Sequence, residues 1–390
     1  MMSTNTTDAQ TILSNAPGSF AWTVLTQRHP ALIGQVAAAH PYPPETRHRL
    51  DALRNQIAGS IRALPDLAAG KSQWDRWGAG VYGRRWLDVP FLWAESYFYR
   101  LLLEEIGYFT PGPWCGIDPF VQKHIELADP ALEDELTGLP DRPAAGLEQH
   151  TADLIHKALW GNRADLGFHL SNPAAADAPT GDIIADHTTP AVEHLHAHST
   201  GTLCLVADNA GRELIPDLLL LDHLLQLHPE LTVQLHLKPY PYYVSDATTT
   251  DLLATLNRLR GIPGPANATA EHLTSALRSG RLILRTPEFY CAPLPFHDMP
   301  ADLRAEFAQA DTVIMKGDLN YRRLVGDRHW HPTTRFDALV GYFPSTVIAL
   351  RTLKSDVAAG IDATIVTGLD SIEPNWRTSG QHAVVHIAKR

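Results

Sequence analysis

L-C-L-V-A-D-N-A-G-R-E-L, running from Leu203 to Leu214, is the stretch that decides how this chain reads. Leu203–Ala207 is a short β-rich run of the kind that forms a buried strand. Asp208-Asn209-Ala210-Gly211 then interrupts it, and a helical stretch, Glu213–Leu227, follows. Strand, polar turn and helix in that order form the first half of a βαβ unit.

Working outward, the same alternation continues. Further β-rich runs are Thr232–Leu237, Leu282–Thr286, Thr312–Met315, Val347–Leu350 and Ala383–Ile387. Between them lie helical stretches at Thr250–Arg260, Glu271–Ser279 and Ala301–Ala308. Alternation of this kind predicts an α/β fold, a parallel sheet with helices on both faces. Upstream the periodicity is helical instead. Leu50, Leu53, Ile57 and Ile61 share one helical spacing, Phe91 to Ile106 another, and Leu154, Ile155, Ala158 and Leu159 a third. We therefore divide the chain into a mainly α-helical region, 1–170, and an α/β domain, 171–390. Ala128–Gly146 and Asn172–Pro190, rich in Pro, Ala and acidic residues, read as surface connections.

Composition bounds the function. The 390 residues carry a formal net charge of −11, with 44% hydrophobic and 19% charged residues. That is an ordinary globular composition, and its acidic balance argues against general nucleic-acid binding. Three well-separated cysteines, Cys115, Cys204 and Cys291, suit neither a disulfide framework nor a cysteine-based zinc site, and a reducing, cytoplasmic setting is the expectation. The first residues lack the order of a signal peptide, and no apolar run reaches the ~20 residues needed to span a bilayer.

Ligands of parallel α/β sheets bind beyond the carboxyl ends of the strands. Polar residues gather at those ends here. Asp208-Asn209-Ala210-Gly211 follows the first run and Lys238–Asp246 (K-P-Y-P-Y-Y-V-S-D) the second. Lys316–Arg322 (K-G-D-L-N-Y-R) follows the fourth and Arg351–Lys354 (R-T-L-K) the fifth. Asp208, Asn209 and Asp246 are oxygen donors, which suit Mg2+, Mn2+ and related divalent ions. Lys316, Arg351 and Lys354 bring the positive charge a phosphate needs. Taken singly, each segment has a plain structural explanation as a capped turn or a strand end. Their common placement after four strands is what points to phosphoryl transfer to water.

Two other patterns are set aside. Gly78-Ala79-Gly80-Val81-Tyr82-Gly83 matches a dinucleotide fingerprint, but no strand precedes it, and its glycines read as a turn between helices. His187, His194, His196 and His198 resemble a metal-binding tract. An extended segment would align His194, His196 and His198, whereas a helix would align only His194 and His198. With no carboxylate rim beside them, they read as a solvated approach to the sheet.

Six ordered segments carry a family resemblance: Trp86–Arg100, Leu159–Leu166, Asp208–Leu218, Lys238–Asp246, Lys316–Arg322 and Leu350–Val357. In them the chain resembles the damage-control phosphatases, once called domain of unknown function 89, and within these the branch that includes a protein described as an acidic-residue methyltransferase. The resemblance implies a helical amino-terminal region on a Rossmann-like, doubly wound, mainly parallel sheet. It implies metal-dependent hydrolysis of small phosphomonoesters, such as sugar phosphates or damaged and side-product metabolites, with Mn2+, Co2+, Ni2+ or Mg2+. By motif position, the metal ligands would be Asp208, Asn209 and Asp246. Substrate contacts would be Glu213, the loop Asp318, Leu319, Asn320, Tyr321 and Arg322, and Lys354. Asn162 and Asp165 are placed near the site, although Gly167-Phe168-His169 departs from the family's usual serine-rich continuation.

The mechanism expected gives Asp208, Asp318 and Lys354 the catalytic roles. Lys316, Lys354 and Arg351 offset phosphoryl charge, and Glu213 or Asp318 orients water or sugar hydroxyls. Asp208 as a nucleophile is a variant of the same scheme. One alternative is a carboxyl methyltransferase using S-adenosylmethionine, against which stands the single glycine, Gly211, after the first strand. Another is a metabolite-binding module or a specialised biosynthetic relative, against which stand the intact polar residues. The partner expected is a small phosphorylated metabolite, with neither nucleic acid nor membrane; substrate, native metal and oligomeric state are open.

Overall fold

The computed structural model describes residues 9–120, 126–137, 146–161 and 182–390. Asn162, Asp165 and the Gly167–His169 departure lie outside them.

Seven strands form one sheet: β1 (Ile183–Asp186), β2 (Thr200–Val206), β3 (Glu230–His236), β4 (Leu282–Arg285), β5 (Thr312–Lys316), β6 (Thr346–Thr352) and β7 (Ala383–Ala388). Their order is β1-β7-β6-β5-β2-β3-β4. Strands β2 to β6 are parallel, β7 is antiparallel to β6, and β1 is parallel to β7. The longer helices are α1 (His29–Ala39), α2 (Pro44–Gln56), α3 (Phe91–Ile106), α4 (Leu147–Trp160), α5 (Thr188–Ala197) and α6 (Leu214–Leu227). They continue with α7 (Thr249–Arg260), α8 (Pro265–Ser279), α9 (Ala301–Gln309), α10 (Gly317–Val325) and α11 (Ala363–Ile372).

Every strand run expected from the sequence is present, shifted by a few residues. The strands read as near-continuous apolar runs because both faces are covered. Cys204, Val206, Val313, Met315, Val347 and Ala349 pack on one side into the core of the amino-terminal helices. Leu203, Leu205, Ile314, Ile348 and Leu350 face the other side, with α4, α6, α7 and α8. Helix α3 is buried all round except at Glu104 and forms the centre of the first layer. Tyr97 touches Trp74, Trp86 and Trp93 there.

Three readings are corrected. The 172–190 connection contains β1 and the start of α5; a four-residue edge strand is too short to show a period. Ala131–Thr137, in the 128–146 connection, is a helix burying Leu132 and Leu136. The histidine segment is helical rather than a solvated approach: His194 is buried with Nε2 2.8 Å from Thr312 Oγ1, and its ring lies 4.0 Å from that of His198. The glycines at 78, 80 and 83 do make a turn, between the short helix Lys71–Trp77 and the turn that leads into α3.

The winding fixes where a site can lie. From β2 the chain moves outward through β3 and β4, then returns to place β5 on the other side of β2. The carboxyl ends of β2 and β5 therefore border the topological switch point, where such sheets open a crevice.

Candidate active site

The two loops at that switch point are bound together. Asn209 and Asp246 form an isolated antiparallel bridge. Ala210 N donates to Ser245 O at 2.7 Å and Ala247 N to Asp208 O at 2.8 Å, so the loop after β3 straps the loop after β2. The side chains repeat the pattern. Ser245 Oγ donates to Asn209 Oδ1 at 2.7 Å, and Asn209 Nδ2 donates to Glu213 Oε2 at 2.8 Å. The Asn209 amide is thereby held in one orientation. Lys238 Nζ lies 3.1 Å from Asp246 Oδ2, and both residues are buried.

From the β5 side the backbone of Gly317 presses against Asp208. Gly317 has φ +85°, and a Cβ there would fall on the Asp208 carboxylate. Only glycine allows both that conformation and that approach. Gly317 also opens α10, so a helix amino terminus faces the acidic loop.

Acidic charge is crowded here. Burial pushes the Asp208 carboxyl well above the usual carboxylate range, and the charges of Glu213 and Asp246 push it further; Lys238 and Lys354 pull the other way. A bound cation relieves such crowding, and two carboxylates and an amide oxygen are a suitable donor set for a hard or borderline divalent ion. No group of three or more His, Cys, Asp and Glu among the described residues has metal-holding geometry; the set here is Asp208, Asp246 and the amide of Asn209.

The remaining expected residues divide into two sets. Burial opposes the charge on Asp318, but Arg351 and Arg322 with the Ser355 hydroxyl overcome it and hold the carboxyl below its ordinary range. Its Oδ1 accepts from Arg351 Nε at 2.8 Å, Ser355 Oγ at 3.0 Å and Lys354 N at 3.2 Å. Asp318 thus fixes the β6 loop that carries Lys354. Lys354 is half-buried, and its charge reaches Asp208.

The second set is directed into the protein. Lys316 is buried, pairs with Asp217 Oδ1 at 2.8 Å and donates to Ala158 O, joining β5 to α6 and α4. Burial disfavours its ammonium, yet Asp217 and Glu213 raise its pKa overall. Asn320 Nδ2 donates to Ala207 O at 3.1 Å and Lys316 O at 2.7 Å, locking the ends of β2 and β5 together. Leu319 lies in the core. Tyr321 is buried under the Arg351 guanidinium, 4.4 Å from its ring centre. Arg322 is engaged by Asp327 at 2.7 Å and Glu95 at 2.9 Å.

The sequence reading gave no role to Lys238, Ser245, Asp217 or Glu95. The strand-end rule that selected Asp208 applies equally to Lys238 after β3. Glu95 carried a signal too, as the one acid in the apolar run F-L-W-A-E-S-Y-F.

The fold and the site define a doubly wound α/β protein with acids and lysines lining the crevice at its switch point, where ligands of such sheets bind. The family is specific: the Damage-control phosphatase ARMT1-like domain matches residues 24–366, and the chain belongs to that family of phosphatases. The damage-control phosphatase ARMT1 of Danio rerio is 27% identical over 442 aligned positions, covering 97% of each chain. That of Xenopus laevis is 31% identical over 334, covering 78% of this chain and 76% of its own. A DUF89 family protein of known structure from Pyrococcus horikoshii aligns with TM-score 0.49 at 12% identity, over 90% of this chain and 93% of that one. No helix among the described residues is long and apolar enough to cross a membrane.

Proposed function

We propose that the chain is a divalent-metal-dependent phosphomonoesterase acting on small phosphorylated metabolites, with sugar phosphates and damaged or side-product phosphates as the substrate class. The observation that carries this reading is the strapping of Asp208 and Asn209 to Asp246 at the β2–β5 crevice. Asp208, Asn209 and Asp246 would hold the ion, which when bound supplies Lewis-acid polarisation of the phosphoryl oxygens and of the attacking water.

The chain's own residues do the rest. The α10 amino terminus and Lys354 receive the phosphoryl charge. Residues 318–322 are helical rather than a loop, and Leu319, Asn320, Tyr321 and Arg322 are buried, so this segment would meet substrate through the main-chain N–H groups at the α10 amino terminus. Glu213 holds the Asn209 amide and would be the carboxylate that accepts from a substrate hydroxyl. Asp318, kept ionised by Arg351, fixes the Lys354 loop and is poorly suited to donate a proton. Arg351 and Lys316 act through Asp318 and Asp217 rather than directly. The methyltransferase alternative has no supporting feature, since the loop after β2 carries one glycine, Gly211.

The test is phosphate release from a panel of sugar phosphates and other phosphorylated metabolites with Mn2+, Co2+, Ni2+ and Mg2+ in turn. Asp208→Asn and Asp246→Asn should each abolish metal-dependent turnover. Silence of the wild type across the panel, or full activity in both variants, overturns the assignment.

A further inference from the structure

The loop that carries Asp246 is held in an unusual conformation. Tyr243 has φ +44° and Val244 φ +69°, both in the left-handed region. That region is costly for side chains with a Cβ, and most so for a β-branched one. Two adjacent residues of this kind persist only where the surroundings impose them.

The constraint comes from across the molecule. Tyr243 OH donates to Glu95 Oε2 at 3.0 Å and lies 3.5 Å from Ser96 Oγ, both on α3. Its ring stacks on Tyr99, one turn further along the same helix, with centroids 4.6 Å apart. Glu95 is fixed in turn by Arg322, whose guanidinium also holds Asp327. Directly after the turn, Ser245 bonds Asn209 through its hydroxyl and Ala210 through its carbonyl, and Asp246 meets Lys238.

We propose that Glu95 and Tyr243 are positioning residues for the metal site: the amino-terminal helix α3, through the Tyr243 hydroxyl, holds the left-handed turn that presents Ser245 and Asp246 to the Asp208–Asn209 loop. This rests on the metal-dependent reading above and adds a function for the helical region. Neither residue touches a reacting group. They hold the ligand loop ready, so that the cost of ordering it is met in folding rather than in ion binding.

The test measures ion binding directly: Mn2+ titrated into the full chain, with free Mn2+ read by electron paramagnetic resonance and melting temperature recorded in parallel. Tyr243→Phe should weaken Mn2+ binding about tenfold, in the range seen when outer-shell partners of metal ligands are removed. Glu95→Leu should do the same. Glu95→Gln still offers an oxygen to the Tyr243 hydroxyl and should stay within about threefold of wild type. Val244→Gly relaxes the turn, so its melting temperature should hold or rise while its affinity falls several-fold. A purely structural contact predicts the reverse, with lower melting temperatures and unchanged affinity in the folded protein. Wild-type affinity in Tyr243→Phe and Val244→Gly overturns the proposal. Failure of the wild type itself to bind Mn2+, Co2+, Ni2+ or Mg2+ overturns the metal reading beneath it.

Discussion

The backbone of Gly317 lies against the carboxylate of Asp208, so closely that no side chain fits between them. This contact joins the ends of β5 and β2 across the switch point. Gly317→Ala meets two penalties: a left-handed conformation at φ +85°, worth about 1–2 kcal/mol for a residue with a Cβ, and displacement of Asp208. We expect kcat/KM to fall at least a hundredfold while the melting temperature drops by only a few degrees. A variant that kept near-wild-type turnover would show that Asp208 need not stay where Gly317 lets it lie.

Lys354 and Lys316 should separate in experiment. Lys354 is half-buried and its charge reaches Asp208, so Lys354→Met should lose phosphatase activity by two or more orders of magnitude with the fold intact. Lys316 is buried against Asp217, whose carboxyl burial raises to about 6 even with the lysine beside it. Lys316→Met strands that carboxylate and should cost about 3–5 kcal/mol of stability, read as a lowered midpoint in urea. If both variants showed the same profile, the division of the two lysines would be wrong.

How far the sequence could be read follows from how local each signal is. The strands of the central sheet were legible because burial on both faces leaves continuous apolar runs, and α3 because Phe91, Ala94, Tyr97, Phe98, Leu101, Leu102 and Ile106 recur at helical spacing. Asp208 and Asp246 were legible because residues after strands in this architecture share a rim. Strand β1 was not, having four residues at an edge. The direction of each side chain was less accessible still. Lys316 turns inward because Asp217 waits on α6, ninety-nine positions earlier in the chain, and nothing near Lys316 announces it. Arg322 is different: Asp327, five residues on, is a local partner that the sequence displayed. The Glu95–Tyr243 bond spans 148 residues and depends on how α3 docks.

Ion binding to the native state alone should raise stability by RT ln(1 + [L]/Kd), about 2.7 kcal/mol at a hundredfold excess over Kd. Mn2+ or Co2+ should therefore lift the wild-type melting temperature by several degrees, and chelation should reverse the gain. In Asp208→Asn and Asp246→Asn the lift should vanish. A lift that survived in both variants would place the ion outside the Asp208–Asp246 loop pair.

The histidine-rich junction of α4, α5 and α6 has a titration of its own. Thr151 Oγ1 donates to Leu147 O at 3.0 Å, so its lone pairs are left to His196 Nε2 and His223 Nε2, each 2.8 Å away and each the donor. The His150 ring lies 4.8 Å from that of His223, and the His228 ring 6.1 Å from that of His196. The other charged neighbours acting on His150 are Lys157 and Asp153, of opposite sign. Burial lowers His223 to about 4 from an ordinary value near 6.5, and His150, His196 and His228 add to the effect; burial lowers His150 and His228 as well. Below pH 6.5 the unfolded chain therefore takes up protons that the folded one refuses. Stability is fully present above that pH and declines as pH falls toward 4. Melting temperatures from pH 8 to 4.5 should fall steeply below 6.5. His223→Gln can still donate to Thr151 but takes up no proton, so its decline should be shallower, while the remaining buried histidines keep it from being flat. Parallel declines in wild type and variant would remove His223 from the account of acid sensitivity.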